Sequence, residues 1–431
     1  MLRSENPFIR EDDGWVDHTF AVQGKVSAVR YGEEGNMVGA LDGIKVLDFT
    51  HVYSGPFCTF LLRDLGADVI KVERREGDVV RNDAPLTQGL ESGTFIILNR
   101  GKKSITFNLK SEKGREICRA LAKKVDVVVE NFSPGTMDKL GLGSQELCKL
   151  NPKLIYASIS AYGQTGPRRD DLGYDPVAQA MGGLTSVTGF PDTPTKCAVA
   201  IADFSAGLFT ALSITAALIH RIKTGEGQTI DISLQDCVWL LTSIEFSPTY
   251  FLSGKIPQRL GNGHPMMTPG NLYPAKDGSV IIATGALAQV QRLFRLIGGE
   301  DLVNSPLCSN QKERVKYREQ IDTLVTEWTK KRSTGEIVDQ LKNIDVPCAK
   351  VPAFDEVCND PQLLSREMII EVEQTVSGKV KTPGSLFKLS KTPGNVKLPA
   401  PFLGEHNLEV YSGMLGYTEQ EITQLANEGI V

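Results

Sequence analysis

The sequence predicts an α/β fold with a doubly wound parallel sheet, to which a smaller unit is added. Three observations lead to this prediction. Short runs rich in Val and Ile alternate with helical patterns through the first half of the chain, as in βαβ units. Several of these runs are continuously apolar, which is typical of parallel strands covered on both faces. The chain has 431 residues, more than one hydrophobic core usually holds.

The predicted elements follow one another regularly after a polar, aperiodic extension at residues 1–40. The first strand is predicted at 44–50 and is followed by a helix at 54–67. Another helix is predicted at 111–124, with Ser111 as its N-cap. Further strands are predicted at 68–74, 104–109, 125–131 and 153–160.

Two long apolar helices are predicted at 203–223 and 234–252, with a strand at 225–234 between them. The apolar run at 205–219 is interrupted by Ser and Thr and is too short for a membrane span, so we expect a buried helix. The Gly- and Pro-rich stretch at 253–278 indicates a linker with a functional loop. The patterns after it predict a smaller second unit.

Composition narrows the classes of partner and compartment. A net charge of -5 gives no reason to expect nucleic acid or an anionic membrane, so the expected partner is a small molecule. The eight cysteines are scattered, without a Cys-x-x-Cys pair or zinc-finger spacing, which favours a reducing compartment and no metal site. The first residues contain several acids and lack the apolar core of a signal peptide. We therefore expect a cytoplasmic protein.

The dinucleotide-binding motif is absent from the sequence. That motif places Gly-x-Gly-x-x-Gly after the first strand, so that the backbone can approach a pyrophosphate closely. Here "HVYSGPFC" follows the first predicted strand, and "GLGSQE" and "GNGHPM" both lack the third glycine. A nicotinamide or flavin enzyme is therefore disfavoured.

Polar and aromatic residues nevertheless follow the predicted strands. His51, Tyr53 and Ser54 come after the first strand, and Asn131 and Phe132 after a later one. In open α/β sheets ligands bind at this carboxyl edge, where helix N-termini favour anions. Taken singly, each residue also has a structural explanation, such as a loop histidine bonded to backbone or a capping turn.

Basic residues are concentrated at the same positions. They occur in "KVERR" at 71–75, in "NRGKKS" at 99–104 and at Lys110. Arg and Lys side chains at one sheet edge would hold a polyphosphate, although solvated surface charge is the simpler explanation for any single one. Together with the strand-end residues they predict a nucleotide-bearing ligand outside the dinucleotide class.

Asp203 is a carboxylate with no cation near it in sequence, placed before the long apolar helix. One interpretation is a helix N-cap. The other is a nucleophile, because a carboxylate with an ordinary pKa of about 3.9 is ionised at pH 7 and attacks an activated acyl group without a general base. A thioester would suit this chemistry.

Successive blocks of the sequence resemble those of the class III CoA-transferases, also called the CaiB/BaiF family, which includes formyl-CoA transferase. The resemblance runs from about residue 41 to the C-terminus and includes "PFLGEH" at 401–406. The other blocks that carry it are "LDGIKVLDFTHVYSGP", "LGADVIKVERREGD", "NRGKKSITFNLKSEKG", "VVENFSPG", "ISAYGQTGP", "GYDPVAQAMGG", "SVTGFPD", "AIADFSAG" and "TGEGQTIDISLQD".

The resemblance implies an architecture. A Rossmann-like large domain would be made from both chain ends, with a smaller α+β domain between them, and two subunits would form an interlocked homodimer. The implied segments are an extension at 1–40, the first part of the large domain at 41–235, a linker helix and loop at 236–262, the small domain at 263–345, and a return linker with the last part of the large domain at 346–431.

The resemblance also implies the site. The family's nucleophilic aspartate falls at Asp203, acyl-CoA is a substrate rather than a permanently bound cofactor, and no metal is needed. The implied CoA contacts are His51, Tyr53, Ser54, Arg74, Phe107, Lys110, Asn131, Phe132, Lys139, Tyr174 and Asp175. A loop that covers the aspartate and excludes water maps onto Gly261, Asn262, Gly263 and His264.

Two departures from formyl-CoA transferase disfavour formyl-CoA and oxalate as substrates: the covering loop has fewer glycines, and Tyr53 stands where that enzyme has Gln. The donor and acceptor acids stay open, with His264, Met266 and Met267 as candidates for the acyl pocket.

The resulting hypothesis is CoA transfer from an acyl-CoA to a free carboxylic acid, through an aspartyl anhydride and an aspartyl-CoA thioester on Asp203. The α-methylacyl-CoA racemases of the same family are an alternative. Those enzymes have His where this chain has Tyr174, and a phenol of pKa about 10 is a poor base at neutral pH. A CoA-binding protein without turnover is the second alternative.

Overall fold

The computed structural model of the protein describes residues 39–87, 91–394 and 396–431. The predicted extension at residues 1–40 lies outside the described residues, except for Gly39 and Ala40.

Strands and helices alternate through the first part of the chain. The strands are β1 (Lys45–Asp48), β2 (Asp68–Glu73), β3 (Lys103–Thr106), β4 (Val127–Glu130), β5 (Ile155–Ser160), β6 (Gly189–Phe190), β7 (Thr193–Pro194) and β8 (Thr229–Ser233). The helices are α1 (Ser54–Asp64), α2 (Gly93–Asn99), α3 (Glu112–Ala122), α4 (Thr136–Lys139), α5 (Ser144–Leu150), α6 (Asp175–Met181), α7 (Leu184–Val187), α8 (Ile201–Thr224) and α9 (Leu234–Ser253). A 3-10 helix, Val79–Asn82, follows β2.

In the described part of the chain, the central sheet has six parallel strands in the order β3-β2-β1-β4-β5-β8. The chain starts at the centre with β1, moves outward to β3, and then crosses back to build the other half from β4. This arrangement confirms the predicted doubly wound parallel sheet. It also creates a switch point between β1 and β4, where the loops after the two strands diverge and leave a crevice.

Both faces of this sheet are buried, as the continuous apolar runs predicted. Leu47 and Val128 belong to one apolar cluster, and Val46 and Val129 belong to the cluster on the opposite face. The Ser111 hydroxyl accepts a hydrogen bond from the Gly114 N–H and caps α3, as expected. The prediction missed α2, a short apolar helix.

Helix α8 is buried on only one side. Ala206 and Ile214 are fully buried, whereas Leu212 and Ile222 are 62% and 80% exposed. The helix is long and apolar enough to cross a bilayer by composition, but half of that apolar window is buried, as in the core helices of globular domains. The prediction of a buried helix therefore holds for one face of α8.

The second part of the chain begins with an antiparallel sheet. Its strands are β9 (Gly270–Ala275), β10 (Gly278–Ala283) and β11 (Cys348–Lys350), in the order β11-β10-β9. The helices between β10 and β11 are α10 (Leu287–Val303, kinked at Gly299), α11 (Gln311–Lys316), α12 (Arg318–Thr329) and α13 (Thr334–Lys342), with a 3-10 turn at Pro306–Cys308. One apolar cluster, from Tyr273 to Cys348, is built only from this unit.

The chain then returns towards the first sheet. The remaining elements are α14 (Phe354–Val357), α15 (Pro361–Ser365), the hairpin β12 (Ile369–Gln374) and β13 (Gly378–Pro383), α16 (Asn407–Val410), a π-helical turn Tyr411–Leu415, and α17 (Glu419–Asn427). Tyr411 and Val431 are buried in the same cluster as Leu47, and the Tyr411 hydroxyl donates to the carbonyl of Thr106 at 2.6 Å. Both ends of the described chain thus contribute to one core, while the five-segment layout stays a prediction.

Candidate active site

The turn that follows β1 is fixed by the loop that follows β4. The Asn131 side chain accepts a hydrogen bond from the His51 N–H at 3.0 Å and donates one to the His51 carbonyl at 2.9 Å. It also lies 3.3 Å from the Ser54 hydroxyl. One amide side chain therefore joins the two loops across the switch point, so the strand-end residues predicted from sequence do meet.

A cavity of about 670 Å³ opens at this edge of the sheet, a size typical of small-molecule sites. Loops after β1, β2, β3 and β4 contribute to its wall. The predicted contact residues that line it are His51, Arg74, Phe107, Lys110, Phe132 and Tyr174. The His51 and Phe132 rings lie 5.3 Å apart, so the cavity has an aromatic side as well as a basic one.

The basic residues at the strand ends have two different roles. Arg74 and Lys110 line the cavity, and no ion pair with a carboxylate holds either of them within the described residues. The other basic residues that the structure finds in ion pairs bond to carboxylates, and their contact with a polyphosphate stays a prediction. These pairs are Lys71–Asp78, Arg100–Asp64, Lys102–Asp48 and Lys103–Asp68.

Burial lowers the pKa of His51; Asp78 opposes this shift, and smaller effects of Lys71 and Arg74 lower the pKa again. The imidazole is therefore neutral at pH 7, and its ring is available for packing rather than for charge pairing with a phosphate.

Asp203 lies in the first turn of α8 and is not the N-cap, which is Ala200. The N-cap interpretation is therefore wrong. The capping oxygen comes instead from Asp175, at the start of α6, which accepts the Ala202 N–H at 2.7 Å and the Asp203 N–H at 3.4 Å. The Gln179 side chain donates to the other oxygen of Asp175 at 2.6 Å.

The pKa of Asp203 is raised to about 7 by burial and, to a smaller extent, by the neighbouring Asp175 carboxylate; a hydrogen bond from Ser54 opposes the shift. The expectation of an ordinary pKa near 3.9 is therefore wrong. Because the group sits in the first turn of a long helix, the positive end of the helix dipole favours its ionised form. The site holds a carboxylate that ionises near neutrality.

Aromatic rings and a close helix contact surround Asp203. The ring of Phe204 makes edge contacts with Tyr53 and Phe57, at centroid distances of 6.0 and 5.0 Å. A Cβ atom added at Gly207 would lie 2.5 Å from the carbonyl oxygen of Ser54, so only glycine permits α8 to approach α1 this closely. This contact brings Asp203 to Ser54. Neither Phe57 nor Phe204 was predicted, because their apolar periodicity looks like that of any core helix.

Two groups of predicted site residues lie elsewhere. Lys139 ends the short helix α4 and does not line the cavity. The loop Gly261–His264 packs on the β6–β7 hairpin, where the Gly261 N–H donates to the Gly189 carbonyl and Arg259 donates to three carbonyls. Within the described ranges, no hydrogen bond or ion pair joins this loop to Asp203.

No group of three or more His, Cys, Asp or Glu side chains that would hold a metal occurs in the part of the chain that the structure describes.

Comparisons with known proteins agree on one family. The model of CoA-transferase family III matches residues 41–407. The chain is 36% identical to a succinyl-CoA–D-citramalate CoA-transferase of Chloroflexus aurantiacus, over 91% of its length and 98% of the relative. It is 35% identical to a formyl-CoA:oxalate CoA-transferase of Streptomyces avermitilis, over 92% of the chain and 100% of the relative.

A solved structure is similar over the same region. The crystal structure of a CaiB/BaiF family protein from Brucella suis superposes with a TM-score of 0.78 at 37% identity, covering 88% of this chain and 100% of that one.

Proposed function

The chain belongs to CoA-transferase family III, and we propose that it moves coenzyme A from an acyl-CoA to a free carboxylic acid, with Asp203 as the nucleophile. The observation that carries this proposal is the placement of Asp203. Its carboxylate lies in the first turn of a long helix and accepts a hydrogen bond from Ser54, which follows the turn lining the cavity. The relatives named above act on acyl-CoA and carboxylate substrates.

The cavity residues are suited to coenzyme A. Arg74 and Lys110 would pair with its phosphates, and Phe107 and Phe132 would pack against its planar or apolar parts. The thioester end would then run past His51 and Tyr53 towards Asp203. In this arrangement the nucleotide contacts hold the released thiol close to the aspartate, so the second half of the reaction is intramolecular in effect.

The proposed reaction consists of four acyl transfers at carbonyl carbons. A carboxylate oxygen of Asp203 attacks the thioester carbonyl and expels the CoA thiolate, which gives a mixed anhydride. The thiolate attacks the aspartyl carbonyl, forms an aspartyl-CoA thioester and releases the donor acid. The acceptor carboxylate attacks that thioester to give a second anhydride and free thiolate. The thiolate finally attacks the acceptor carbonyl, which yields the new acyl-CoA and restores Asp203.

The raised pKa of Asp203 lowers the ionised fraction at neutral pH, but the burial that causes it favours the chemistry. At a pKa of about 7, about half of the free enzyme holds the nucleophilic carboxylate at neutral pH. The same burial that raises the pKa also removes water from the carboxylate, and poor solvation increases its nucleophilicity and protects the anhydrides from hydrolysis.

The proposal is tested by trapping. The protein is incubated with succinyl-CoA or formyl-CoA and a panel of carboxylic acids, quenched with hydroxylamine or borohydride, and digested for mass spectrometry. We expect modification of the peptide that contains Asp203 in the wild type and none in Asp203→Asn. The matched control is Asp236→Asn, an exposed acid in the first turn of α9. A CoA-binding protein without turnover would bind CoA and form no adduct.

One observation favours the racemase alternative. A carboxyl group of pKa about 7 is a good general acid or base, and Asp175 lies beside it. Solvent deuterium separates the two functions: a racemase would incorporate deuterium next to the thioester carbonyl of a branched acyl-CoA, whereas a transferase would move CoA to an added acid and leave that position unlabelled.

We also propose that a second copy of the chain covers the exposed side of α8 and α9. In the single chain, four large apolar side chains on these helices are 68–87% exposed: Ile222 on α8, and Ile244, Phe251 and Leu252 on α9. Apolar surface of this extent is typical of an obligate interface. Sedimentation velocity should give twice the mass of the chain, and a monomer at micromolar concentration would contradict the interlocked dimer.

A further inference from the structure

The residues that line the cavity include a buried ion pair, which is separate from the basic side chains of Arg74 and Lys110. Lys71, on β2, and Asp78, after it, lie 2.9 Å apart with side chains that are 0% and 2% exposed. Burial lowers the pKa of Lys71, but Asp78, Asp48 and Glu73 outweigh it and raise the pKa overall. The pair is therefore charged at neutral pH.

The pair bonds to the backbone of the turn after β1. The Lys71 ammonium donates to the Thr50 carbonyl at 2.8 Å. One oxygen of Asp78 accepts the Val80 N–H at 3.1 Å and faces the Val52 N–H at 3.5 Å. The two charges thus hold the turn on the side opposite to Asn131.

The turn needs this support because Val52 is left-handed, with a φ of 67°. A β-branched residue in that region is costly, and such strain persists only where surrounding contacts impose it. The conformation places His51 in the cavity and starts α1 at Ser54, so that Ser54 bonds to Asp203.

Asp78 also lies in the loop that carries Arg74, the proposed phosphate contact. The Asp78 N–H donates to Glu73 at 3.0 Å, and Arg74 donates to the Gly77 carbonyl at 3.1 Å within the same loop. Asp78 therefore belongs to the loop that carries Arg74, while its side chain and Lys71 bond to the turn that leads to Ser54.

Stability alone does not explain a buried ion pair, since apolar residues of similar size are often equally stabilising. We propose that the Lys71–Asp78 pair is a positioning pair, which holds the turn Thr50–Tyr53 in its left-handed form and so sets the approach of the acyl carbonyl to Asp203. The inference rests on the proposed function. Neither residue needs to touch the acyl group.

The test measures the rate of adduct formation on Asp203 and the dissociation constant of CoA as two separate quantities. In Asp78→Asn and Lys71→Met we expect the adduct to form about 10- to 100-fold more slowly per folded molecule, because displacing a reacting group by about 1 Å has an effect of this size. The dissociation constant of CoA should change less than about threefold, because the bonds of the Arg74 loop use the Asp78 backbone N–H and the Gly77 carbonyl, which both variants keep.

The matched controls come from another buried ion pair. Arg100 and Asp64 lie 2.9 Å apart, are equally buried, and do not bond to the turn. Asp64→Asn and Arg100→Met should lower stability while leaving the adduct rate of the folded fraction within about twofold of the wild type. The double variant Lys71→Met/Asp78→Asn leaves no unpaired charge and serves where a single variant fails to fold.

Rescue by glycine distinguishes positioning from general damage. Glycine adopts the left-handed conformation readily, so Val52→Gly in the Asp78→Asn background should recover most of the lost adduct rate. An adduct rate in Asp78→Asn that equals the wild type, a loss matched by Asp64→Asn, or a loss that glycine does not recover would overturn the proposal.

The titration of His51 gives a second readout that does not need turnover. Its imidazole is faced by Lys71, Arg74, Asp78 and Asp48. By NMR, Lys71→Met should raise the pKa of His51 and Asp78→Asn should lower it. If the wild type itself forms no adduct, the proposed function fails, but the NMR titration still tests the placement of the pair. Shifts of the His51 pKa with the same sign in both variants would contradict the placement of the pair beside the turn.

Discussion

Two groups of buried carboxylates lie at the same edge of the sheet and have opposite electrostatics. Near the turn after β1, Asp48 and Asp78 are buried beside Lys102 and Lys71. Burial raises the pKa of each of these acids, but the lysines outweigh it and hold both below their usual range. At the start of α8, burial and Asp175 raise the pKa of Asp203 to about 7.

The comparison shows what opposes burial in each place: lysines outweigh it at Asp48 and Asp78, whereas at Asp203 burial is the larger cause of the raised pKa and Asp175 adds to it. An acid bonded to a buried lysine is fixed and poorly nucleophilic. In the proposed reaction, acylation of Asp203 would remove a carboxylate charge that is buried beside Asp175.

The largest expected effect is the loss of transfer in Asp203→Asn. Removing the nucleophile should lower kcat at least about a thousandfold, because the remaining residues only bind and orient the substrates. Asp236→Asn provides the control in a steady-state assay with an acyl-CoA and an excess of carboxylic acid. A kcat of Asp203→Asn within tenfold of the wild type would contradict the proposed role of Asp203 as the nucleophile, which distinguishes it from the acids near the turn.

The same substitution should have opposite effects on stability in the two regions. At pH 8, Asp78→Asn should destabilise the protein by roughly 3–5 kcal/mol, because Lys71 is left buried without its partner. Asp203→Asn should stabilise it by roughly 2–4 kcal/mol, because the folded protein no longer holds a desolvated charge. Urea unfolding at fixed pH measures both.

These signs follow from the folded and unfolded pKa values. The folded pKa of Asp78 is lowered, so its contribution is present above the unfolded value of 3.8 and disappears as the pH falls further. The folded pKa of Asp203 is raised, so its cost is absent below pH 3.8, grows as the pH rises and is complete above about 7. The gain in Asp203→Asn should therefore vanish at pH 4; a gain of equal size at both pH values would contradict it.

A smaller effect is expected in the pH dependence of adduct formation. With a pKa of about 7 for free Asp203, the second-order rate of adduct formation at subsaturating acyl-CoA should rise about tenfold per pH unit up to neutrality and then level off. Asp175→Asn keeps an oxygen for capping α8 and removes the repelling charge, so the midpoint should move to lower pH. If the midpoint is unchanged, the raised pKa of Asp203 is due to burial alone.

Sequence patterns predicted the elements that periodicity encodes. The apolar runs at β1, β2, β4 and β5 and the N-cap at Ser111 were found where expected. The hairpin β12–β13 was missed although its signal was present, since Ile370 and Val372 are buried while Glu371 and Glu373 are exposed.

Less of the site than of the fold could be predicted from the sequence. Asp175 and Asp203 are 28 positions apart, and only the fold brings them together and raises a pKa. The partner of Lys71 is likewise set by tertiary structure; a lysine inside the apolar run "DVIKVE" was the one local sign that its charge is buried. The CoA contacts and the cytoplasmic location stay predictions.

The role of Asp203 is tested most directly by oxygen transfer. In the proposed reaction Asp203 gives one oxygen to the released donor acid and regains one from the acceptor acid in each turnover. An acceptor acid labelled with ¹⁸O in its carboxylate should therefore deliver the label to Asp203, detected by mass spectrometry of the peptide that contains it. Label in Asp203 that appears only when both acyl-CoA and acceptor are present is the predicted result. Complete CoA transfer with no label in that peptide would contradict it.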